Sequence, residues 1–234
     1  MWSGPRNLST AMMYAFAARG DCAVVDEPFY AAYLQASGSD HPMRAAVIAS
    51  QSTDSAQVAW DLLGQIPQNQ SLFYQKHMTL HMIPQFDRSF MRGLTNVFLI
   101  RHPARVVASY ARKRESPTLH DIGFVQQAEL FDEVADQLGH APLVIDSFEI
   151  RADPHKALSG LCHSLGLPFT DRMLAWPAGS KTYDGVWASH WYGAVHNSTG
   201  FEDPEGPVPQ LSDGFAELVR LAMPYYEKLR AFLP

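Results

Sequence analysis

Polar and cationic residues crowd one short segment ahead of a predicted helix. Residues 4–10 read Gly-Pro-Arg-Asn-Leu-Ser-Thr, in which Arg6 is a cation and Ser9 and Thr10 carry hydroxyl groups. The unpaired backbone N–H groups and the dipole of a helix amino terminus attract anions. The segment therefore favours an anion-binding loop, although Asn, Ser and Thr are also ordinary helix caps.

This loop does not match the phosphate loop G-x-x-x-x-G-K-[ST] of enzymes that hydrolyse ATP or GTP. With Gly4 as the first glycine, that pattern needs glycine, lysine and a hydroxyl residue where this chain has Ser9, Thr10 and Ala11. The lysine and the magnesium-binding hydroxyl are both missing. The sequence thus argues against ordinary ATP or GTP hydrolysis.

Charged residues also follow predicted strands further along the chain. Glu27 follows one strand, Lys76 and His77 follow the next, and Arg101 follows a third. A guanidinium at the end of a strand can hold a phosphate through two hydrogen bonds. The alternative is that this arginine belongs to a solvated basic helix face, together with Arg105, Arg112, Lys113 and Arg114.

A metal site is not expected. His81 lies four residues after His77, a spacing that could place both on one helical face as metal ligands. No third ligand stands near them in the sequence, and such pairs are usually accidental.

Short apolar runs alternate with helical patterns, as is typical of a parallel sheet covered by helices. The predicted strands cover residues 23–25, 71–75, 96–100 and 142–145, and the predicted helices cover residues 9–19, 29–35, 43–63 with an interruption near 50–55, 103–114, 129–139, 154–165 and 214–232. Only Met1 and Trp2 precede Ser3, so the strand before the first loop is either vestigial or begins upstream. Residues 177–210 show no firm period and are predicted to form a lid or an acceptor loop.

The composition narrows the class of protein. The 234 residues are 47% apolar, which suits a single α/β domain with a full core. The net charge of −6 argues against broad binding to nucleic acid or to acidic membranes. The two cysteines, Cys22 and Cys162, make neither a disulfide framework nor a CxxC pair, which predicts a cytoplasmic protein. No apolar run approaches the roughly 18 residues that span a bilayer.

Residues 5–10 resemble the loop Pro-[Lys/Arg]-Ser-Gly-[Ser/Thr]-Thr of sulfotransferases, which grips the 5′-phosphosulfate of 3′-phosphoadenosine 5′-phosphosulfate (PAPS). By this resemblance Arg6 takes the cationic role, and Ser9 and Thr10 take the hydroxyl roles. Asn7 and Leu8 stand where the family has Ser-Gly. The resemblance therefore implies that residues 6–10 bind PAPS.

Two further segments resemble the same family. Residues 98–110 are similar to the strand, arginine, proline and helix that bind the 3′-phosphate of PAPS, with Arg101 and Ser109 as the matching ligands. Residues 144–167 are similar to a strand, an Asp-Pro turn and a Leu-Cys helix that bacterial sulfotransferases commonly carry.

The resemblance also offers two candidates for the base that takes a proton from the acceptor. Several bacterial and tyrosyl-protein sulfotransferases place a glutamate base after the second strand, where this chain has Glu27. The pair Lys76-His77 resembles the Lys-Thr-His segment of cytosolic sulfotransferases, whose lysine helps the leaving phosphate oxygen. We expect Glu27 to be the base, with His77 as the alternative.

The sequence thus predicts a P-loop-type α/β domain with a parallel sheet of about five strands and a nucleotide at their carboxyl ends. The predicted function is sulfuryl transfer from PAPS to a hydroxyl or amine of a small-molecule acceptor, without a metal. A nucleotide or small-molecule kinase and a catalytically degraded nucleotide-binding module are the alternatives. The aromatic segment 181–192 is expected to stack on adenine or to form a wall of the acceptor site.

Overall fold

A five-stranded sheet lies at the centre of the computed structural model, which describes residues 1–111 and 117–234. All of its neighbouring strands pair in parallel, in the order β2-β3-β1-β4-β5. The strands are β1 (Trp2–Ser3), β2 (Cys22–Asp26), β3 (Leu72–Met78), β4 (Val97–Ile100) and β5 (Leu143–Asp146). The predicted α/β class and parallel sheet are confirmed.

Helices cover both faces of this sheet. The α-helices of the described residues are α1 (Ser9–Ala18), α2 (Tyr30–Ser37), α3 (Arg44–Ser50), α4 (Ser55–Leu63), α5 (Pro103–Ala111), α6 (Phe124–Leu138), α7 (Ser147–Ala152), α8 (Pro154–Ser164), α9 (Ala188–Trp191), α10 (Gly193–His196) and α11 (Asp213–Arg230). The predicted end of α5 at residue 114 and the basic residues Arg112, Lys113 and Arg114 lie outside the described residues. Over the part of the chain that is described, no helix has both the length and the apolar character needed to cross a membrane.

The residues of β4 show why a core forms on each face of the sheet. Successive side chains of a strand point to opposite faces. Val97 and Leu99 join an apolar cluster with α1 and α8, whereas Phe98 and Ile100 join a second cluster with α2, α6 and α11. All four residues are buried, as expected of a strand that is covered on both sides.

The shortest strand, β1, lies in the middle of the sheet. Trp2 pairs with His77 of β3 on one side and with Phe98 of β4 on the other. The indole ring stacks on the His77 imidazole with 4.2 Å between ring centroids, and its Nε1 donates to Asn96 Oδ1 over 2.8 Å. Two residues of strand therefore fix the start of the following loop between two longer strands.

β3 extends to Met78, three residues beyond the predicted end at residue 75. The extension follows from pairing on both edges, because Lys76 pairs with Asp26 of β2 and Met78 pairs with Ser3 of β1. Lys76 and His77 thus lie within the strand and not after it. Since neighbours in a strand face opposite sides, the structure separates these two side chains.

Two other segments differ from the sequence-based expectation. The helix predicted from residue 129 begins at Phe124, after Gly123 adopts a left-handed φ of 73° at its amino end. Within residues 177–210 the chain forms the short helices α9 and α10. By contrast, the interruption predicted near residues 50–55 agrees with the structure, where it separates α3 from α4.

The stability of the fold should depend on pH through His77. Burial is the main reason that the pKa of His77 lies well below its ordinary value of 6.5. His77 therefore binds a proton more readily in the unfolded chain than in the folded protein. The contribution of a neutral His77 is fully present above about pH 6.5 and is lost as the pH falls through 6.5 toward the pKa of the folded state.

We expect His77→Phe, which keeps a ring against Trp2, to make the free energy of unfolding less dependent on pH. The change should reach up to about 1.4 kcal/mol per pH unit in the acidic range. Denaturant unfolding at about pH 7, 6 and 5 measures it. Identical pH slopes for the variant and the native protein would contradict the burial of a neutral His77.

Candidate active site

A cavity of about 470 Å³ lies at the carboxyl ends of the central strands. Ligands of open parallel sheets bind at this edge. The cavity brings together the residues predicted to bind nucleotide or to act in catalysis, with the exception of His77: Arg6, Asn7, Leu8, Ser9, Thr10, Glu27, Lys76, Arg101 and Ser109. The segment after α8 completes the wall with Trp191, Tyr192, Val195 and Phe201.

The loop between β1 and α1 depends on two residues with left-handed backbone conformations. Arg6 has a φ of 63° and Leu8 a φ of 71°, a region that favours glycine. Leu8 precedes α1, and its carbonyl accepts the first helical hydrogen bond from Met12 N over 3.1 Å. Asn7 is buried and its Nδ2 donates to the Leu99 carbonyl over 3.2 Å, which ties the loop to β4.

The two predicted anion-binding segments meet through direct hydrogen bonds. Arg6 Nε donates to Ser109 Oγ over 3.0 Å, and Arg101 Nη1 donates to the Arg6 carbonyl over 2.8 Å. The first N–H groups of a helix have no partner within it, and Ser9 and Thr10 of α1 line the same cavity. The arrangement gathers two guanidinium groups, three hydroxyl groups and a helix amino terminus around one space.

Lys76 is a fully buried ammonium between two carboxylates. Because Lys76 and Asp26 are partners in the β2–β3 register, their side chains share one face of the sheet. Lys76 Nζ donates to Asp26 Oδ1 over 2.8 Å and to Glu27 Oε1 over 2.6 Å. Burial alone would lower the pKa of Lys76, but the two carboxylates outweigh it and raise this pKa. The ammonium therefore stays charged at neutral pH.

Glu27 reaches the same ammonium because its backbone leaves the strand pattern. Alternation would send the side chains of Asp26 and Glu27 to opposite faces, yet Glu27 has a left-handed φ of 42°. Its N–H donates to the Lys76 carbonyl over 2.9 Å, which holds the turn. Its second oxygen, Oε2, lies 3.9 Å from His81 Nε2.

His81 is neutral in this environment. Burial, followed by the charges of His41 and Lys76, lowers the pKa of His81 well below 6.5. Its contact with Glu27 is therefore no ion pair at neutral pH. Among the residues that the structure describes, no three His, Cys, Asp or Glu side chains are grouped so as to hold a metal ion.

The structure does not bring His77 to the cavity. Its imidazole lies on the other face of β3, against Trp2 and Phe29, and its Nε2 bonds to Gln75 Oε1 over 3.2 Å. The cause is the alternation within β3 that directs Lys76 to the cavity.

Tyr192 is a site residue that the sequence did not single out by role. Its hydroxyl donates to the Asp26 carboxylate over 2.8 Å and accepts hydrogen bonds from Lys76 Nζ and from Trp187 Nε1. The aromatic composition of segment 181–192 was the available signal. A separation of 116 residues hides its pairing with Lys76 from any local pattern.

Asp184 fixes the same segment onto α1. Its carboxylate accepts hydrogen bonds from Tyr14 Oη over 2.8 Å, from His196 Nε2 over 3.0 Å and from the Lys181 N–H over 2.7 Å. The Tyr14 bond therefore joins the segment predicted as a lid to α1, and the other two bonds hold the segment together.

Comparison with known proteins gives a family match and two curated relatives. A family model described as a sulfotransferase domain matches residues 1–232. Branched-chain-amino-acid aminotransferase-like proteins 1 and 2 of Arabidopsis thaliana are 35% and 32% identical over 230 and 232 residues. These alignments cover 98% and 99% of this chain but 41% of each relative. The chain thus spans about two fifths of the length of the curated relatives it matches.

Two solved structures share the fold. The sulfotransferase domain from the Synechococcus PCC 7002 olefin synthase has a TM-score of 0.52 and 17% identity, covering 94% of this chain and 92% of that chain. The sulfotransferase domain from the curacin biosynthetic pathway has a TM-score of 0.51 and 16% identity, covering 95% of both chains.

The left-handed conformation of Leu8 can be tested by comparing two substitutions. A side chain in this region costs about 1–2 kcal/mol, and glycine does not incur that cost. Leu8→Ala and Leu8→Gly both remove the packing of the leucine side chain. The difference between their free energies of unfolding therefore reports the cost of the left-handed backbone conformation. We expect Leu8→Gly to be more stable than Leu8→Ala by about 1 kcal/mol in denaturant unfolding.

Ala17, which lies within α1, provides the control with ordinary helical geometry. There, Ala17→Gly should destabilise the protein by about 1 kcal/mol. A Leu8→Ala variant as stable as Leu8→Gly would show that the loop does not hold this conformation in solution.

Proposed function

Because the chain belongs to the sulfotransferase domain family, we propose that it moves a sulfuryl group from PAPS to a hydroxyl or amine of a small molecule. The observation that carries this proposal is the meeting, in one cavity, of the anion-binding loop, Arg101 and the buried pair of Glu27 and Lys76. Cationic groups at one end and a carboxylate at the other suit an anionic donor and an acceptor that must lose a proton.

The donor would be held at two anionic ends. Arg6, Ser9 and Thr10 would bind its 5′-phosphosulfate, together with the N–H groups that begin α1. Arg101 and Ser109 would bind its 3′-phosphate. When bound, PAPS supplies an activated sulfuryl group, whose bond to the phosphate oxygen breaks as the bond to the acceptor forms.

Glu27 would take the proton of the acceptor on Oε2. Its Oε1 is engaged by Lys76, whereas Oε2 is on the side of His81. The hydrogen bond from Lys76 Nζ to Oε1 holds the carboxylate in place and leaves Oε2 for the acceptor. The cavity around Glu27 is lined by aromatic rings, which suits an acceptor with a flat or apolar part, and the rings are Tyr30, His41, His81 and Trp191.

Lys76 would act on Glu27 more directly than on the leaving phosphate oxygen. A lysine ammonium has three N–H donors, and those of Lys76 are directed to Asp26, Glu27 and Tyr192. Lys76 could reach the leaving oxygen only by giving up one of these bonds. We therefore assign the cationic hold on the transferred group to Arg6.

The first test concerns the 3′-phosphate. Arg101→Ala should weaken binding of adenosine 3′,5′-bisphosphate by about 2 kcal/mol or more, because a charge-assisted contact is lost. Affinity for adenosine 5′-phosphosulfate, which has no 3′-phosphate, should fall clearly less, because this ligand loses only the support that Arg101 gives to the Arg6 carbonyl. Titration calorimetry measures both constants.

Arg88→Ala is the matched control for Arg101→Ala. The Arg88 side chain is 16% exposed, as is that of Arg101, and it pairs with Glu133 instead of facing the cavity. It should leave both affinities unchanged. If Arg101→Ala lost the same binding free energy for both nucleotides, Arg101 would not have the proposed role.

The second test concerns the base. Glu27→Gln keeps the shape of the side chain and removes its basicity, so turnover should fall by about a hundredfold to ten-thousandfold. Nucleotide affinity should stay nearly unchanged. The measurement is formation of adenosine 3′,5′-bisphosphate from PAPS with a panel of phenols, alcohols and amines.

Glu217→Gln, an identical change on the exposed face of α11, controls for the substitution itself. His77→Asn separates the two candidate bases and should retain most of the turnover per folded molecule. Loss of turnover in His77→Asn together with its retention in Glu27→Gln would overturn the assignment of Glu27.

A further inference from the structure

Glu205 is a buried carboxylate surrounded by arginines. Its side chain is 1% exposed, and its oxygens contact Arg101, Arg105 and Arg151. Arg105 Nε lies 2.9 Å from Oε2, and Arg151 Nη1 lies 3.4 Å from Oε1. A single carboxylate thus holds together three guanidinium groups that would otherwise repel one another.

Only two of these three arginines line the cavity. Arg101 and Arg151 line it, whereas Arg105 and Glu205 do not. Ser109, whose hydroxyl accepts a hydrogen bond from Arg6 Nε, also lines the cavity. Two guanidinium groups are therefore presented to the cavity, with their common carboxylate behind them.

Most donors of these two guanidinium groups are already used, because Arg101 bonds to the Arg6 carbonyl and to Glu205, and Arg151 Nε and Nη2 bond to the Asp203 carbonyl. The donors that remain are Arg101 Nε, which is buried and has no hydrogen-bond partner among the described residues, and Arg151 Nη1. Arg151 Nη1 pairs with Glu202 Oε2 over 3.2 Å, and the Glu202 side chain is 60% exposed. The carboxylate of this pair is exposed to solvent, although the Arg151 side chain is only 14% exposed, so a more highly charged anion can replace Glu202 at Arg151 Nη1. A phosphate dianion meets this requirement.

We infer that Arg151 is a second ligand of the nucleotide's 3′-phosphate and that Glu205 is a positioning residue, which holds Arg101 and Arg151 side by side. This inference rests on the proposed function, which assigns the 3′-phosphate to Arg101 and Ser109. On binding, the phosphate takes the place of Glu202 at Arg151, while Glu205 stays behind the two guanidinium groups. The arrangement selects adenine nucleotides that carry a 3′-phosphate.

The experiment compares two nucleotides on the full chain. The dissociation constants of adenosine 3′,5′-bisphosphate and adenosine 5′-monophosphate are measured by titration calorimetry, and their ratio reports recognition of the 3′-phosphate. Arg151→Ala should weaken binding of the bisphosphate by about tenfold or more and binding of the monophosphate by less than about threefold. Arg151→Lys keeps the charge without the planar fork and should give an intermediate ratio.

Arg105→Ala is the matched control, because it removes a guanidinium from the same carboxylate without changing the lining of the cavity. It should leave the ratio of the two constants within about threefold of the native value, since a charge behind the wall makes no direct contact with the phosphate. Glu205→Gln should lower the selectivity for the bisphosphate, because the guanidinium groups lose their common partner.

The outcomes separate this inference from the proposed function. A native protein that binds both nucleotides equally would overturn both. A native preference for the bisphosphate that survives in Arg151→Ala and Arg151→Lys would overturn the role of Arg151 and leave the proposed function intact. Tighter binding of the bisphosphate by Glu205→Gln would show that Glu205 competes with the phosphate, and would overturn its positioning role.

Discussion

The arrangement of the site depends on the buried ammonium of Lys76, which must be paired. An isolated charge in a protein interior is so unfavourable that it must be paired and hydrogen-bonded, and here Asp26, Glu27 and Tyr192 meet that need. Asp26 and Glu27 come from the end of β2, beside Lys76 in β3, and Tyr192 comes from a segment more than a hundred residues away. Removing one of them would leave a buried N–H of Lys76 without its hydrogen-bond partner, so the ionic cluster of Lys76, Asp26, Glu27 and Tyr192 makes the sheet edge and the distant segment depend on each other.

Backbone strain is concentrated in the same region. Arg6, Leu8 and Glu27 all have positive φ values, and all three line the cavity. Each such residue costs about 1–3 kcal/mol and persists because its surroundings fix it. For Glu27, the strained turn is what places two consecutive carboxylates against one ammonium. The conformation that disfavours the fold locally is therefore the one that assembles the site.

Much of the fold follows from local pattern, and the contacts between distant segments do not. The apolar runs predict the parallel sheet, and the rule that strand ends share one edge brings the loop of residues 4–8, Glu27, Lys76 and Arg101 to one cavity. The side on which His77 lies depends on where β3 ends, and pairing with two neighbouring strands determines that end. Tyr192 and Glu205 lie in a segment without a period, so their partners become visible only in three dimensions.

The segment that carries Asp184, Tyr192 and Glu205 also bears on how this protein could change during evolution. Each of these three residues is committed to a buried polar contact with a different part of the domain. Between them lie Trp191, Val195 and Phe201, which face the cavity. Drift at those intervening positions can reshape the cavity wall while the anchors keep the segment in place. Under the proposed function, acceptor preference could therefore diverge in a lineage while the ionic cluster and the group of arginines around Glu205 are kept.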